Sequence, residues 1–316
     1  MFAKILIAVD ESSCAERAGR TGLEFAKKIG AKVLVTHVVK SPPSYMGLKP
    51  SPKAIERYLE NLLGSWKELG QQMKLDLMTE HFSADDIAEG ILFAARRAEC
   101  DLIVMGTHGR EGLPRVFLGS VAERVSRLSP IPLMLVRGDG PATPIAHFGH
   151  ILAPLDGSEV GRPAFALADQ LSTELGAELQ ILHVVPPLPA PVADLWGGGA
   201  IMYNYALLDE EAKKEGQAIL AAAKEQAKSP KVGAEMVEAL FRHVSEVIVE
   251  YARQHHSDLI VMGTHGRTGF ERFLLGSVAE GVIHHAPVPV LLVRAAPVAQ
   301  TAQAKAVQGA NQLVSS

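Results

Sequence analysis

A 25-residue stretch of this chain is written twice. Residues 101–125, DLIVMGTHGREGLPRVFLGSVAERV, and residues 258–282, DLIVMGTHGRTGFERFLLGSVAEGV, agree at 19 positions. PIPLMLVR (130–137) answers PVPVLLVR (287–294) at the same offset of 157. Upstream, KILIAVDESS answers HILAPLDGSE and VLVTHVV answers LQILHVV, at an offset of 146. A period of this size is too long for a solenoid and has the length of a domain, so the 316 residues read as a duplicated domain. The second copy carries about eleven extra residues between its second strand and its third helix. The joint, RGDGPATPIAHFGH (137–150), is rich in Gly and Pro, as a linker is. The expected units are 1–140 and 148–296, followed by a disordered tail over 297–316.

Each copy reads as strands alternating with helices. In the first, KILIAVD, KVLVTHVV, LDLMTEHF, DLIVMG and PLMLVR are short β-rich runs. Between them the apolar residues have helical spacing, as in Ile55, Tyr58, Leu59, Leu62, Leu63, Trp66 and Leu69. We take Ala164, Leu167, Ala168, Leu171 and Leu175 as the matching stripe of the second copy; both stripes are core faces. The alternation predicts an α/β fold of two tandem Rossmann-like domains, each a parallel sheet covered on both faces. In such sheets ligands bind beyond the carboxyl ends of the strands, where the strand order reverses. Asp10 and Asp156 end the first strands, and Gly106 and Gly263 end the fourth.

The duplicated loop suits an anion. Gly106-x-x-Gly109 is followed, after nine residues, by Gly119-Ser120 at the start of a helix, and Gly263, Gly266, Gly276 and Ser277 repeat the spacing. Glycines let backbone amides approach a ligand, and the first amides of a helix point outward with the positive end of its dipole. Ser120 is the expected N-cap. This is no P-loop: GxxxxGK[ST] is missing and neither loop holds a lysine, so Arg110 and Arg115, or Arg267 and Arg272, would supply the charge. His108 and His265 lie inside the loops and could touch a phosphate or cap a turn.

Composition excludes several classes. A net charge of −4 with scattered basic residues gives no bulk attraction to nucleic acid or to an anionic membrane. The two cysteines, Cys14 and Cys100, form neither a disulfide framework nor a zinc site, and no run is long enough to span a membrane, so a cytoplasmic protein is expected. His255-His256 and His284-His285 are adjacent pairs that diverge on a helix and cannot chelate. Asp85 and Asp86 precede a helix and cap it. No Ser-His-Asp or Cys-His spacing marks a committed hydrolase. The apolar, glycine-rich stretch 186–208 lies outside the repeat and reads as a loop over the sheet, a lid or a partner surface.

The pattern Gly-x2-Gly-x9-Gly-Ser after DLIVMGTHGR, with an Asp-x-Ser at the end of the first strand, resembles the universal stress protein family, over nearly the whole chain as two tandem copies. The resemblance implies a Rossmann-like (adenine nucleotide alpha hydrolase-like) fold with strand order 3-2-1-4-5, and an adenine nucleotide as ligand: ATP, AMP or ADP, with Mg2+ accompanying it. By position it assigns Asp10 and Asp156 to the ribose and adenine end, and the backbones of Val38 and Val184 to adenine. Gly106, Gly109, Gly119, Ser120 and Val121 would wrap the phosphates in the first half, with His108 and Arg110 beside them. Gly263, Gly266, Gly276, Ser277 and Val278 would do so in the second, with His265 and Arg267. Pro154 replaces Ala8 at the end of the first strand, and Glu111 faces the first cradle where the second has Thr268, which predicts unequal sites with the second tighter. A regulatory nucleotide-binding module is the expected function, with a partner-binding stress scaffold and a slow ATPase as alternatives. The apolar last strands, PLMLVR and PVLLVR, are expected to pair antiparallel as an intramolecular pseudo-dimer. A homodimer and a protein partner of unspecified kind remain open.

Overall fold

The computed structural model describes residues 2–40, 51–108, 118–138, 146–187, 198–265 and 275–295. The first copy runs β1 (Lys4–Ala8), α1 (Ser13–Ile29), β2 (Lys32–Lys40), α2 (Pro52–Met73), β3 (Leu77–Ala84), α3 (Ile87–Arg97), β4 (Leu102–Gly106), α4 (Ser120–Leu128) and β5 (Leu133–Val136). The second runs β6 (His150–Pro154), α5 (Arg162–Leu175), β7 (Glu178–Val185), α6 (Gly198–Gln226), β8 (Val232–Glu238), α7 (Val244–Gln254), β9 (Leu259–Gly263), α8 (Ser277–His285) and β10 (Val290–Val293).

All ten strands form one sheet in the order β3-β2-β1-β4-β5-β10-β9-β6-β7-β8. Within each copy the strands are parallel and follow the expected 3-2-1-4-5 order. The copies meet where β5 and β10 pair antiparallel, Met134 opposite Leu291, so the strands of one half run opposite to those of the other. Two like edges paired in this way are related by a local twofold, and each removes the other's exposed ladder. Two arginines brace the seam reciprocally. Arg137, after β5, donates to the carbonyl of His284 at the end of α8, and Arg294, after β10, donates to the carbonyls of Ser126 and Arg127 at the end of α4. Cations at helix carboxyl ends satisfy orphan carbonyls and oppose the dipole. Burial lowers the proton affinity of Arg294 from its ordinary value.

Side-chain alternation sorts the core by face and not by copy. Ile5, Ile7, Val33, Val104, Met134, Ile151, Ile181, Val261 and Leu291 point to the face covered by α1, α2, α5 and α6. Leu6, Leu34, Ile103, Leu135, Leu152, Leu182, Ile260 and Leu292 point to the other, under α3, α4, α7 and α8. Each layer runs unbroken across the seam, and Phe148, in the linker, packs edge-on against Phe25 of the first copy at 5.0 Å between ring centres.

Local signals account for the element boundaries. Gly30 and Gly176 end α1 and α5 at φ 69° and 66°, the left-handed region that glycine enters without steric cost. The aspartate that opens each DLIVM run ties down the entry to the first strand of its copy. Asp101 accepts from the amides of Ala3 and Lys4, and Asp258 from those of Gly149 and His150. Element order makes α5 the counterpart of α1, so the stripe Ala164–Leu175 is not the mate of the stripe in α2; that mate is α6. The two stripes share a helical period, and period alone does not report order along the chain. The extra residues of the second copy lengthen its second helix from 22 residues to 29. They also open the turn after β8, where Leu240 adopts φ 51° and Phe241 is fully exposed.

Candidate functional site

A cleft of about 580 Å³ opens beyond the carboxyl ends of β1, β2 and β4, at the point where the strand order reverses. Asp10, Val38, Gly106, His108, Gly119, Ser120 and Val121 all line it. Gly109 and Arg110, with Glu111 and Arg115, lie outside the described residues, as do Gly266, Arg267, Thr268 and Arg272.

Three local arrangements shape the cleft. At the end of β1, Asp10 Oδ1 accepts from the amide of Ser12 at 2.8 Å and from its hydroxyl at 2.5 Å, while Ser12 Oγ caps α1 by accepting from Ala15 at 3.1 Å. The carboxylate is therefore aimed by the residue that starts the next helix. Asp156, Ser158 and Gly161 repeat the arrangement at 3.0, 2.7 and 3.2 Å.

At the second strand, the Thr36 carbonyl accepts from Val9, so Thr36 faces β1. Alternate residues of a strand present their backbone groups to the same side, so the N–H and C=O of Val38 point to the side where β1 has already ended. Val184 stands in the same relation to β6, because Leu155 donates to the carbonyl of Leu182.

At the fourth strand, Thr107 donates to the Val136 carbonyl and its own carbonyl accepts from Gly119 at 2.8 Å, which closes the base of the glycine loop. Thr264 and Gly276 do the same at 2.8 Å. Gly119, not Ser120, is the N-cap of α4. It is extended (φ −62°, ψ 144°) and its carbonyl accepts from Glu123, which leaves Ser120 as the first helical residue. Gly276 and Ser277 correspond. The early amides of α4 therefore open toward the cleft, with the positive end of its dipole.

Side chains supply the rest. Thr107 Oγ1 and His108 Nδ1 share a hydrogen bond of 2.9 Å, and His108 Nε2 is buried with no hydrogen-bond partner among the described residues. His265 and Thr264 repeat the 2.9 Å contact. Gly106 and Gly263 differ. A Cβ at Gly106 would come within 2.7 Å of Cys14 Sγ, so this glycine lets α1 approach β4; at Gly263 the nearest atom is the carbonyl oxygen of His265 at 3.2 Å. Pro154, Val184, Gly276, Ser277 and Val278 sit at the matching element ends of the second copy.

The sequence reading missed His37, Tyr58 and Lys40, which also line the first cleft. His37 is buried in β2, and its Nδ1 lies 2.8 Å from the Val9 carbonyl; a carbonyl only accepts, so Nδ1 carries the proton. Tyr58 packs edge-on against that ring. His183 makes the same bond to Leu155 at 2.7 Å. The one available signal was the histidine common to VLVTHVV and LQILHVV. Asp86 caps α3 by accepting from Glu89 at 2.9 Å, as expected, yet both it and Asp85 also reach the cleft. A separate cleft of about 420 Å³ lies at the amino ends of β6–β8, near His150, Glu178 and Lys231, the end of a parallel sheet that does not normally carry ligand. Among the described residues no cluster of three or more His, Cys, Asp or Glu could hold a metal, and no helix is long and apolar enough to cross a membrane.

Two doubly wound α/β units, each with an aspartate, an open strand edge and a helix amino end at its switch point, define a duplicated Rossmann-like protein, with a cleft at the switch point of the first. The model of the universal stress protein family matches residues 1–137 and again 147–294. The chain belongs to that family. It is similar to a universal stress protein of Methanocaldococcus jannaschii, 40% identical over 146 residues that cover 46% of this chain and 81% of the relative. A universal stress protein of Mycobacterium tuberculosis is 26% identical over 299 residues, 92% of this chain and 96% of the relative. The crystal structure of a universal stress protein from Archaeoglobus fulgidus has the same fold, with a TM-score of 0.63 at 20% identity over 92% of this chain and 98% of that one.

Proposed function

We propose that the protein is a regulatory nucleotide-binding module that holds an adenine nucleotide, ATP or AMP, in each half. The observation that carries this reading is the open backbone edge of Val38 beside a free helix amino end. One N–H donor and one C=O acceptor side by side match the N1 acceptor and the N6 amine of adenine, and mismatch guanine, which reverses both. Val184 offers the same pair in the second half. Asp10 would accept from a ribose hydroxyl through Oδ2, since Oδ1 is held by the neighbouring serine, and Asp156 stands at the matching position of the second half.

The amides of Ser120 and Val121, and of Ser277 and Val278, would receive phosphate oxygens. His108 Nε2, a buried polar atom without a partner among the described residues, fits a phosphate oxygen in the same cradle. Bound nucleotide would supply only charge and shape here; Mg2+ would ride on its phosphates, because no described cluster offers a metal site. Slow hydrolysis is the lesser reading. A partner-binding scaffold is favoured by one observation, the exposure of Leu207, Leu208, Leu240 and Phe241.

Titration calorimetry of the full chain with ATP and magnesium tests the reading. Up to two sites per chain are expected, and a ligand at 100-fold saturation should raise stability by about 2.7 kcal/mol. Absence of heat and of any thermal shift at millimolar ATP refutes it. Mass spectrometry of small molecules released on denaturing fresh protein identifies the nucleotide carried from the cell.

A further inference from the structure

The helix whose amino end opens on the first cleft is short and lightly packed. α4 has nine residues and a length of about 13 Å. It buries Ala122, Val125 and Ser126, of which only Val125 brings a sizeable apolar side chain. α8, its counterpart at an offset of 157, buries Ala279, Val282 and Ile283, so an isoleucine stands where α4 has Ser126. The two helices also lean on their neighbours differently. Gly281 of α8 lies so close to α7 that a Cβ there would come within 2.4 Å of Ser245 Oγ. The matching Arg124 of α4 reaches α3 through largely exposed ion pairs, to Asp86 at 3.0 Å and to Glu89 at 2.6 Å. Exposed pairs hold weakly.

What fixes the carboxyl end of α4 comes from the other half of the chain. Arg294, the residue after β10, donates to the carbonyl of Ser126 at 3.3 Å and to that of Arg127. Among the described residues these carbonyls are the partners of its guanidinium, and its Nε is buried with none. Removing a cation from water costs stability, and two carbonyls offset less of that cost than a carboxylate would. The arginine is itself fixed, because Val293 before it accepts from the amide of Thr264. α4 crosses back over the sheet between the parallel strands β4 and β5, and the antiparallel seam brings the end of β10 to the far end of that path. At the cleft, Gly119 donates to the Thr107 carbonyl at 2.8 Å. The helix is tied at both ends and lightly held between them.

We propose that Arg294 is a positioning residue of the first cleft: from the second half, it sets where the amides of Ser120 and Val121 stand. The proposal rests on the nucleotide reading above. With its carboxyl end released, α4 can slide or tilt over its small side chains, and its first amides leave the place where phosphate oxygens would meet them. Val38 and Asp10 belong to β2 and to the turn after β1, which Arg294 does not touch, so the base and ribose end keeps its geometry. Arg137 gives α8 the same kind of contact, but there Ile283 and the close approach at Gly281 already hold the helix. The phosphate end of the first cleft is completed by the second half of the chain.

The test is calorimetry on the full chain carrying Gly276→Glu, which sets an acid at the second helix amino end and leaves the first cleft as the phosphate site. ATP is compared with adenosine, the latter read by its displacement of ATP. Arg294→Leu should weaken ATP about tenfold and leave adenosine within about twofold. Arg294→Lys, which keeps the charge and can reach one carbonyl, should recover part of the loss. An equal loss for adenosine shows a general structural defect, and an unchanged ATP affinity shows that α4 holds itself. Either result overturns the proposal and leaves the nucleotide reading standing. ATP that binds the unaltered protein but not the Gly276→Glu chain overturns it too, since the first cleft then takes no phosphate. If ATP does not bind the unaltered protein at millimolar concentration, the nucleotide reading fails and the proposal fails with it. Far-ultraviolet circular dichroism checks the fold of each variant; should Arg294→Leu not fold, Arg294→Gln carries the same comparison with the same outcomes.

Discussion

Replacing His37 by leucine isolates the tie between β1 and β2 that holds Asp10 in place. The imidazole Nδ1 donates to the Val9 carbonyl at 2.8 Å in a buried setting, one residue before the aspartate. Leucine fills much of the ring volume and offers no donor. An orphaned buried carbonyl costs about 1–3 kcal/mol. The edge-on contact with Tyr58, at 5.8 Å between ring centres, adds about 0.5–1.5 kcal/mol. We expect about 2–4 kcal/mol in total, because the two contributions share one side chain and do not simply add. At about 2–4 °C per kcal/mol for a chain of this size, the melting midpoint should fall by about 4–16 °C. Asparagine at position 37, whose amide nitrogen stands near where Nδ1 was, should recover part of the loss. The stabilisation given by saturating ATP should also shrink in His37→Leu, since the loosened strand end carries Asp10. Differential scanning calorimetry with and without ATP reads both effects. A His37→Leu midpoint within about 1 °C of the parent protein, or an asparagine variant no better than leucine, shows that the bond does not anchor the strand.

Three further outcomes follow from the fold and the cleft. Leu291→Ala, at a fully buried seam position opposite Met134, should cost about 2–5 kcal/mol and shift a single unfolding transition as a whole; two separate transitions, only one of them moved, would contradict the shared core. Asp10→Asn keeps an acceptor for Ser12 but puts an amide where Oδ2 stood, so ATP affinity in the first cleft should fall about tenfold, close to 1.4 kcal/mol, with the melting midpoint of ligand-free protein little changed; calorimetry decides. Burial raises the Cys100 thiol from its ordinary 9.0 to about 11, so the folded chain keeps it neutral where the unfolded chain ionises it. Its contribution to stability should be complete below about pH 9 and lost as pH rises to about 11, and Cys100→Ala should flatten that part of the stability–pH curve.

Much of this was legible in the residues, for identifiable reasons. A duplicated strand–helix alternation constrains sheet order tightly, because right-handed crossovers and short connections leave few arrangements, and apolar last strands with no other cover pair with each other. Asp10, Gly119 and Ser120 could be placed at one cleft because each stands at the end of an element, where sequence punctuation is strongest. Ser120 was misassigned as the cap because serine favours that role, whereas backbone bonding to Glu123 gives it to Gly119. His37 escaped notice because its partner, Val9, is 28 residues away and a lone histidine in a strand carries no local pattern. Tyr58 sat within an apolar helical stripe and read as core, although it faces the cleft. The same letter hid two causes at Gly106 and Gly263, one the approach of Cys14 and one a neighbouring backbone, which only the packing separates.

The antiparallel seam has a consequence for how the molecule meets others. Since the strands of the two halves run in opposite directions, their carboxyl ends lie at opposite ends of the one sheet, the first with its cleft and the second with the matching residues. A flat partner resting against one end covers the carboxyl ends of one half and leaves those of the other turned away from it. Both cannot be gripped by a single rigid surface, as they could if the halves ran side by side. The geometry gives the molecule two separately addressable ends, so whatever rests against the first half leaves the carboxyl ends of the second uncovered.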